Sequence, residues 1–292
     1  MTSPRLLPVT RPDATSTVVT LHHPEPAPAS APVLVLVPAM GVRAGWYAPF
    51  AAALARAGCH VAVTELRGHE AGAGRVPGRR VDFGYAELAA DLGAAVDAVH
   101  TAVPSAPVVL VGHSMGGHVA SALLADRPDA AAALVLVASG TTHWRAWGPW
   151  HLVRTQAALL LALTVGHFPG QRVGFAGREA RGVLRDWARL ARGGRLTSGR
   201  PPRDHGPALR TLELPVLAVS VAGDDLGPVR SVRALLRWFP RAHVESVHVR
   251  PAAGDPPLDH FRWVRRPELV VPAVRSWLTH YVVDDPATSD LL

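Results

Sequence analysis

Short apolar runs alternate with segments of helical periodicity along most of this chain. Val33–Val37, His60–Leu66, Val108–Val111, Ala133–Ala138, Val216–Val221 and His243–Val249 are built largely from Val, Leu and Ala. Runs of that length, apolar on both sides, predict strands covered on both faces of a sheet. Thr17–His22 is a further strand candidate. The intervening segments Trp46–Ala57, Phe83–Thr101, Met115–Ala125, Val229–Trp238 and Glu268–Tyr281 read as helices. In the second of these, Leu88, Leu92, Ala95, Val96 and Val99 share one face. Gly58 ends the first, and Pro128 follows the third. Strands alternating with helices predict an α/β fold with a mostly parallel sheet and helices on both faces.

Composition narrows the class. The chain has 292 residues, 48 % apolar and 18 % charged, enough for one large α/β domain with an insert. Its one cysteine, Cys59, excludes an intrachain disulfide and the zinc spacings built from paired cysteines. Met1–Thr10 lacks the apolar core of a secretory signal, and Ala157–Val165 is too short to cross a bilayer. The expectation is a cytoplasmic protein with no transmembrane segment. All 30 basic residues are Arg, and the chain contains no Lys, Ile or Asn. Those three residues share AT-rich codons, so the high isoelectric point reflects codon usage in part. No nucleic-acid-binding motif accompanies it, and no nucleic-acid partner is expected. The distribution is more telling. Thr141–His205 holds 11 Arg against Glu179, Asp186 and Asp204, whereas the rest has 19 Arg and 20 acids.

The run Val108–Val111 leads into Gly112-His113-Ser114-Met115-Gly116-Gly117 and then a helix. Gly-x-Ser-x-Gly between a strand and a helix is the sequence of a nucleophile elbow. A sharp turn strains the serine, the glycines relieve clashes with neighbouring backbone, and the hydroxyl stands above a helix N-terminus. That terminus and the Met115 amide favour negative charge developing on a substrate oxygen. A serine nucleophile needs a base, and the base an orienting acid. Asp224 and Asp225 both end the Val216–Val221 strand, ahead of Pro228. His260 follows the last strand on a Pro- and Gly-rich loop. His113 and His118 flank the elbow, but the elbow's chain order is Ser, then acid, then His. The second oxyanion donor belongs to the loop Pro38-Ala39-Met40-Gly41, where the Met40 amide is best placed. Arg67-Gly68-His69 follows another strand and either orders a loop at the site or turns the chain.

With these residues in hand, the chain resembles the α/β-hydrolase superfamily over roughly residues 15 to 282. More narrowly it looks like a bacterial group of α/β hydrolases of unassigned substrate. Those share Pro38-Ala39-Met40-Gly41-Val42 followed by Trp46-Tyr47, the turn Arg67-Gly68, a segment like Arg185-Asp186-Trp187-Ala188-Arg189, the strand end Gly223-Asp224, and His260-Phe261-Arg262-Trp263. The resemblance implies an eight-stranded, mostly parallel sheet with a helical cap inserted after strand 6. It assigns Ser114 as nucleophile, Asp224 rather than Asp225 as acid, and His260 as base, with Met40 and Met115 as oxyanion donors. It implies a core of residues 15–140 and 206–282, a cap or lid of 141–205, and flexible tails at 1–14 and 283–292.

The expected activity is serine hydrolysis of a small or medium apolar acyl ester or thioester through an acyl-enzyme, with no cofactor and no metal. The insert holds four of the eight Trp, Trp144, Trp147, Trp150 and Trp187, which suggests an apolar acyl pocket. Its Arg suggest a cationic mouth for a substrate with an anionic head group. Two other readings remain open: an acyltransferase on the same triad, and a non-catalytic binding protein on the same fold.

Overall fold

The structure is a computed structural model and describes residues 3–26, 31–70 and 75–283. Eight strands form one sheet in the order β1-β2-β4-β3-β5-β6-β7-β8. They are β1 (Arg5–Thr10), β2 (Ser16–His22), β3 (Val33–Val37), β4 (His60–Thr64), β5 (Val108–His113), β6 (Ala133–Val137), β7 (Pro215–Val221) and β8 (His243–Val249). β1 and β2 are antiparallel to their neighbours, and β3 to β8 run parallel.

The strand period of two divides each run between two cores. Val33, Val35 and Val37 join one core, and Leu34 and Leu36 join the other. The first core is closed by α2 (Tyr85–Ala102) and α3 (Met115–Asp126), through residues such as Leu88, Leu92, Val119 and Leu123. The second is closed by α1 (Ala48–Arg56) and α7 (Val271–Leu278), with the Phe50 and Trp263 rings edge to face at 5.0 Å. The helix expected at Val229–Trp238 is α6 (Val229–Leu236).

One expectation is corrected at the N-terminus. Residues 1–14 were expected as a flexible tail, yet Arg5–Thr10 pairs with Ser16–His22 as an antiparallel ladder. Leu7 and Val9 are buried in the first core, so alternate residues of this short, proline-containing stretch anchor the sheet's edge. The expected tail at 283–292 lies, beyond Val283, outside the described residues.

Between β6 and β7 runs a helical insert carrying α4 (Pro149–Val165), α5 (Arg181–Gly193) and two short ladders, 168–169 with 178–179 and 197–198 with 203–204. Several of its charges tie it to the sheet domain. Asp186 accepts the Tyr85 amide at 2.9 Å and so caps α2, whose N-cap is a glycine. Arg181 and Arg200 reach Asp82, Arg203 reaches Asp126 at 2.8 Å, and Glu179 meets His69 at 2.8 Å.

The Arg67-Gly68-His69 turn therefore does two jobs. His69 holds the insert, and Arg67 binds the Asp91 carboxylate of α2 through two nitrogens, at 2.8 and 2.6 Å. Asp91, largely buried, is also 3.1 Å from Arg11. Removing one partner of a buried pair strands a charge. Arg67→Ala should cost about 3 kcal/mol in chemical denaturation, and Arg67→Lys, which loses the two-pronged contact, an intermediate amount.

Candidate active site

The parallel register brings the C-terminal ends of β3, β5, β6 and β7 to one edge of the sheet, where Val37 lies opposite Gly112, and His113 opposite Val137. Loops leaving these ends carry the chemistry. Ser114 follows β5 at φ 53° and ψ −119°, a conformation costly for any residue with a side chain. Its amide donates to Val137 O at 3.1 Å, and its carbonyl accepts from the Gly117 amide at 3.0 Å and the Ser139 hydroxyl at 2.7 Å.

The three elbow glycines are required by close approach. A Cβ on Gly112 would run into the backbone of Gly117, one on Gly116 into Val37 O, and one on Gly117 into the Ser139 hydroxyl. The turn packs so tightly on β3 and β6 that only glycine fits. The strain at Ser114 persists because its surroundings leave it no room to relax.

A cavity of about 760 Å³ opens above this edge. Ser114, His260, Met40, Met115, His118 and Asp225 line its sheet side, and Trp147, Trp150, His151, Arg154, Phe168, Phe175 and Trp187 line its insert side. His260 Nδ1 lies 2.9 Å from both oxygens of Asp224, which is buried. Asp224 also accepts the Leu226 and Gly227 amides at 2.8 and 2.7 Å, which holds its carboxylate in place. Asp225 faces the cavity instead. With Nδ1–H donating to Asp224, His260 Nε2 is left as the proton acceptor. No direct hydrogen bond joins Ser114 to His260 among the described residues; such bonds commonly tighten only when substrate is bound. The Met40 and Met115 amides beside Ser114 have no hydrogen-bond acceptor among the described residues.

Tyr47 and His113, which carry no role in the sequence reading, join these loops. The Tyr47 hydroxyl accepts the Ala39 amide at 2.8 Å and donates to His113 Nδ1 at 2.7 Å. His113 Nε2–H donates to the His260 carbonyl at 2.9 Å, and the Trp263 indole N–H donates to the same oxygen at 3.0 Å. Burial holds the His113 pKa well below the ordinary range, so the ring is neutral and one nitrogen can accept. One buried chain thus connects the loop of Met40, the residue before Ser114 and the backbone of His260. The sequence signal was present, a Tyr after the first loop and a His inside the elbow, but their meeting is tertiary.

The expected cationic mouth is narrower than the count of Arg suggests. Of the insert's 11 Arg, Arg154 lines the cavity. Others act as ties: Arg178 to Pro77 O, Arg189 to Asp186, and Arg192 to Gln156. A second Ser-His-Asp grouping joins the insert to the end of α3, with Ser198 Oγ 2.7 Å from His205 Nε2 and His205 Nδ1 3.5 Å from Asp126. Ser198 and His205 are buried away from the cavity.

A mostly parallel eight-stranded sheet with a Gly-x-Ser-x-Gly turn after β5, Asp224 after β7 and His260 after β8 makes the chain an α/β hydrolase. Within that superfamily it belongs to the family described as serine aminopeptidase, S33, whose model matches residues 28–191. A curated relative, the candidate carbamate hydrolase RutD of Variovorax paradoxus (strain S110), is 37 % identical over 119 residues. That match covers 40 % of this chain and only 41 % of the relative. Among solved structures, a thermostable carboxyl esterase of Bacillus coagulans superposes with a TM-score of 0.69 at 16 % identity, covering 96 % of this chain and 99 % of that one. An esterase of Thermogutta terrifontis gives 0.64 at 17 %, covering 95 % and 99 %. At such identities the likeness is one of fold.

Two measurements follow from the buried polar groups. Tyr47→Phe leaves the Ala39 amide and His113 Nδ1 without partners and should cost about 2 kcal/mol or more in chemical denaturation. His118 donates to Gly140 O at 2.9 Å, and burial pushes its pKa down to about 4 from an ordinary 6.5. As pH falls from 6.5 toward 4, the unfolded chain takes a proton that the folded state refuses, so stability falls. Between pH 7.5 and 4.5 this one group should remove about 2 to 3 kcal/mol, and His118→Leu should flatten the acid limb accordingly.

Proposed function

We propose that this α/β hydrolase cleaves a carboxylic ester or thioester with Ser114 as nucleophile, His260 as base and Asp224 as the group that orients and compensates the imidazole. The observation that carries the reading is the Asp224–His260 pair on the same cavity as the strained Ser114 and two amides without acceptors. His260 Nε2 takes the hydroxyl proton as Ser114 Oγ attacks the acyl carbon. The tetrahedral oxyanion is held by the Met40 and Met115 amides. It collapses to an acyl-serine, and the leaving alcohol or thiol receives the proton from His260. Water, deprotonated by the same ring, then releases the acid and restores the serine.

The residues 141–205 serve in this reading as the cap that shapes the acyl site. Trp147, Phe168, Phe175 and Trp187 favour an apolar acyl group, and Arg154 is placed to meet an anionic head group. An aminopeptidase would need carboxylates for a substrate ammonium. Among the described residues Asp225 is the one acid on the cavity wall, so the lining supports an ester over a peptide.

A fluorophosphonate probe should label Ser114 in the wild type, located by peptide mass. Ser114→Ala and His260→Ala should abolish the adduct and lower kcat on acyl esters by about 10⁴ or more. Ser198→Ala should keep both. Labelling that survives Ser114→Ala, or a folded wild type that takes no label, would defeat the proposal.

A further inference from the structure

α4 departs from the pattern of a surface helix. Its outward face carries Trp150 (77 % exposed), Val153 (53 %), Ala157 and Leu160 (63 %), at the three- and four-residue spacing of one stripe, with Leu163 and Val165 exposed beside its end. Val173, 55 % exposed on the next turn, extends it. A helix of 17 residues, about 25 Å long, so shows water an almost uninterrupted apolar face. A patch of this kind marks a contact surface.

The charge around it selects the partner. Residues 149–178 contain Arg154, Arg172 and Arg178 and no acid. Arg154 flanks the stripe near Trp150. Arg172 and Arg178 border, with Val165 and His167, a surface cleft of about 230 Å³ at the far end of α4. Arg79 donates to Thr164 O at 3.0 Å and adds a third cation at that end. A twofold dimer through this face would set each copy's arginines against its partner's. An anionic lipid surface matches both features, apolar side chains entering the acyl boundary and guanidinium groups meeting phosphate. No helix among the described residues is long and apolar enough to cross a membrane, so the contact would be peripheral.

We infer that the outer face of α4, with the Val173 turn, docks this protein on an anionic lipid surface. Trp150, Arg154, Ala157 and Val173 belong both to that face and to the cavity lining. The docked cavity thus opens toward the lipid. Resting on the ester-hydrolase reading, the substrate is an ester that partitions into that surface and enters without crossing water.

The test uses Ser114→Ala protein, so that no turnover is needed, floated with vesicles of phosphatidylglycerol and phosphatidylcholine in equal parts or of phosphatidylcholine alone. Binding should favour the mixed vesicles by tenfold or more, with a blue shift in Trp fluorescence. Val153→Ser/Leu160→Ser/Leu163→Ser should weaken it by about tenfold or more. In the otherwise wild-type chain, the same triple change should leave hydrolysis of a water-soluble short-chain ester unchanged. Arg172→Gln and Arg178→Gln should each cost about fivefold on the mixed vesicles. A folded protein that ignores both vesicles, binds both equally, or is a dimer in light scattering that the triple variant splits would overturn the inference. Vesicle binding by a wild type that hydrolyses nothing would support the docking surface and overturn only the proposed reaction.

Discussion

The turn at Ser114 is the constraint on which the rest of the site depends. Three chain segments pass so closely there that Gly112, Gly116 and Gly117 have no space for a Cβ. The gap is set by the parallel pairing of β5 with β3 and β6, which the two cores hold from both sides. A residue kept at φ 53° in this setting is strained by its neighbours. What that strain achieves is placement: Ser114 lies on the cavity wall at the start of α3, and the Met40 and Met115 amides of the same wall have no acceptor among the described residues.

Strand ends alone would leave three loops free to move relative to one another. The hydrogen-bonded chain from Ala39 through Tyr47 and His113 to the His260 carbonyl removes that freedom. It is almost wholly buried, and every polar atom in it has a partner, the condition under which a buried network adds rigidity and not cost. Trp263 closes it by donating to the same carbonyl while its ring packs on Phe50 in the second core. Packing of the sheet face and placement of the His260 loop are therefore one mechanical unit.

The insert divides its residues by direction. Its inner aromatic side chains form the cavity wall, and its buried acids, Glu179 and Asp186, attach it to the turn after β4 and to the start of α2. Consuming the acids in this way leaves the outer surface with arginines and apolar side chains. The charge imbalance of this segment is thus felt on its outer face, and it shapes what that face can meet.

By itself the sequence determined the strands and helices, the elbow, and the order of serine, acid and histidine along the chain. These are local: periodicity is read within a dozen residues, and a strained turn needs glycine at fixed offsets. The residue pattern left two adjacent aspartates open and the family resemblance preferred Asp224; the tertiary structure sets Asp224 against His260, through a turn closed by the Leu226 and Gly227 amides against a loop 36 residues away. It also decided that Arg5–Thr10 is a strand, since a short terminal segment interrupted by Pro8 gains its reason from the neighbour it pairs with. The roles of Tyr47 and His113 and the division of the arginines were likewise settled by contacts between residues far apart in the chain, which no local pattern encodes.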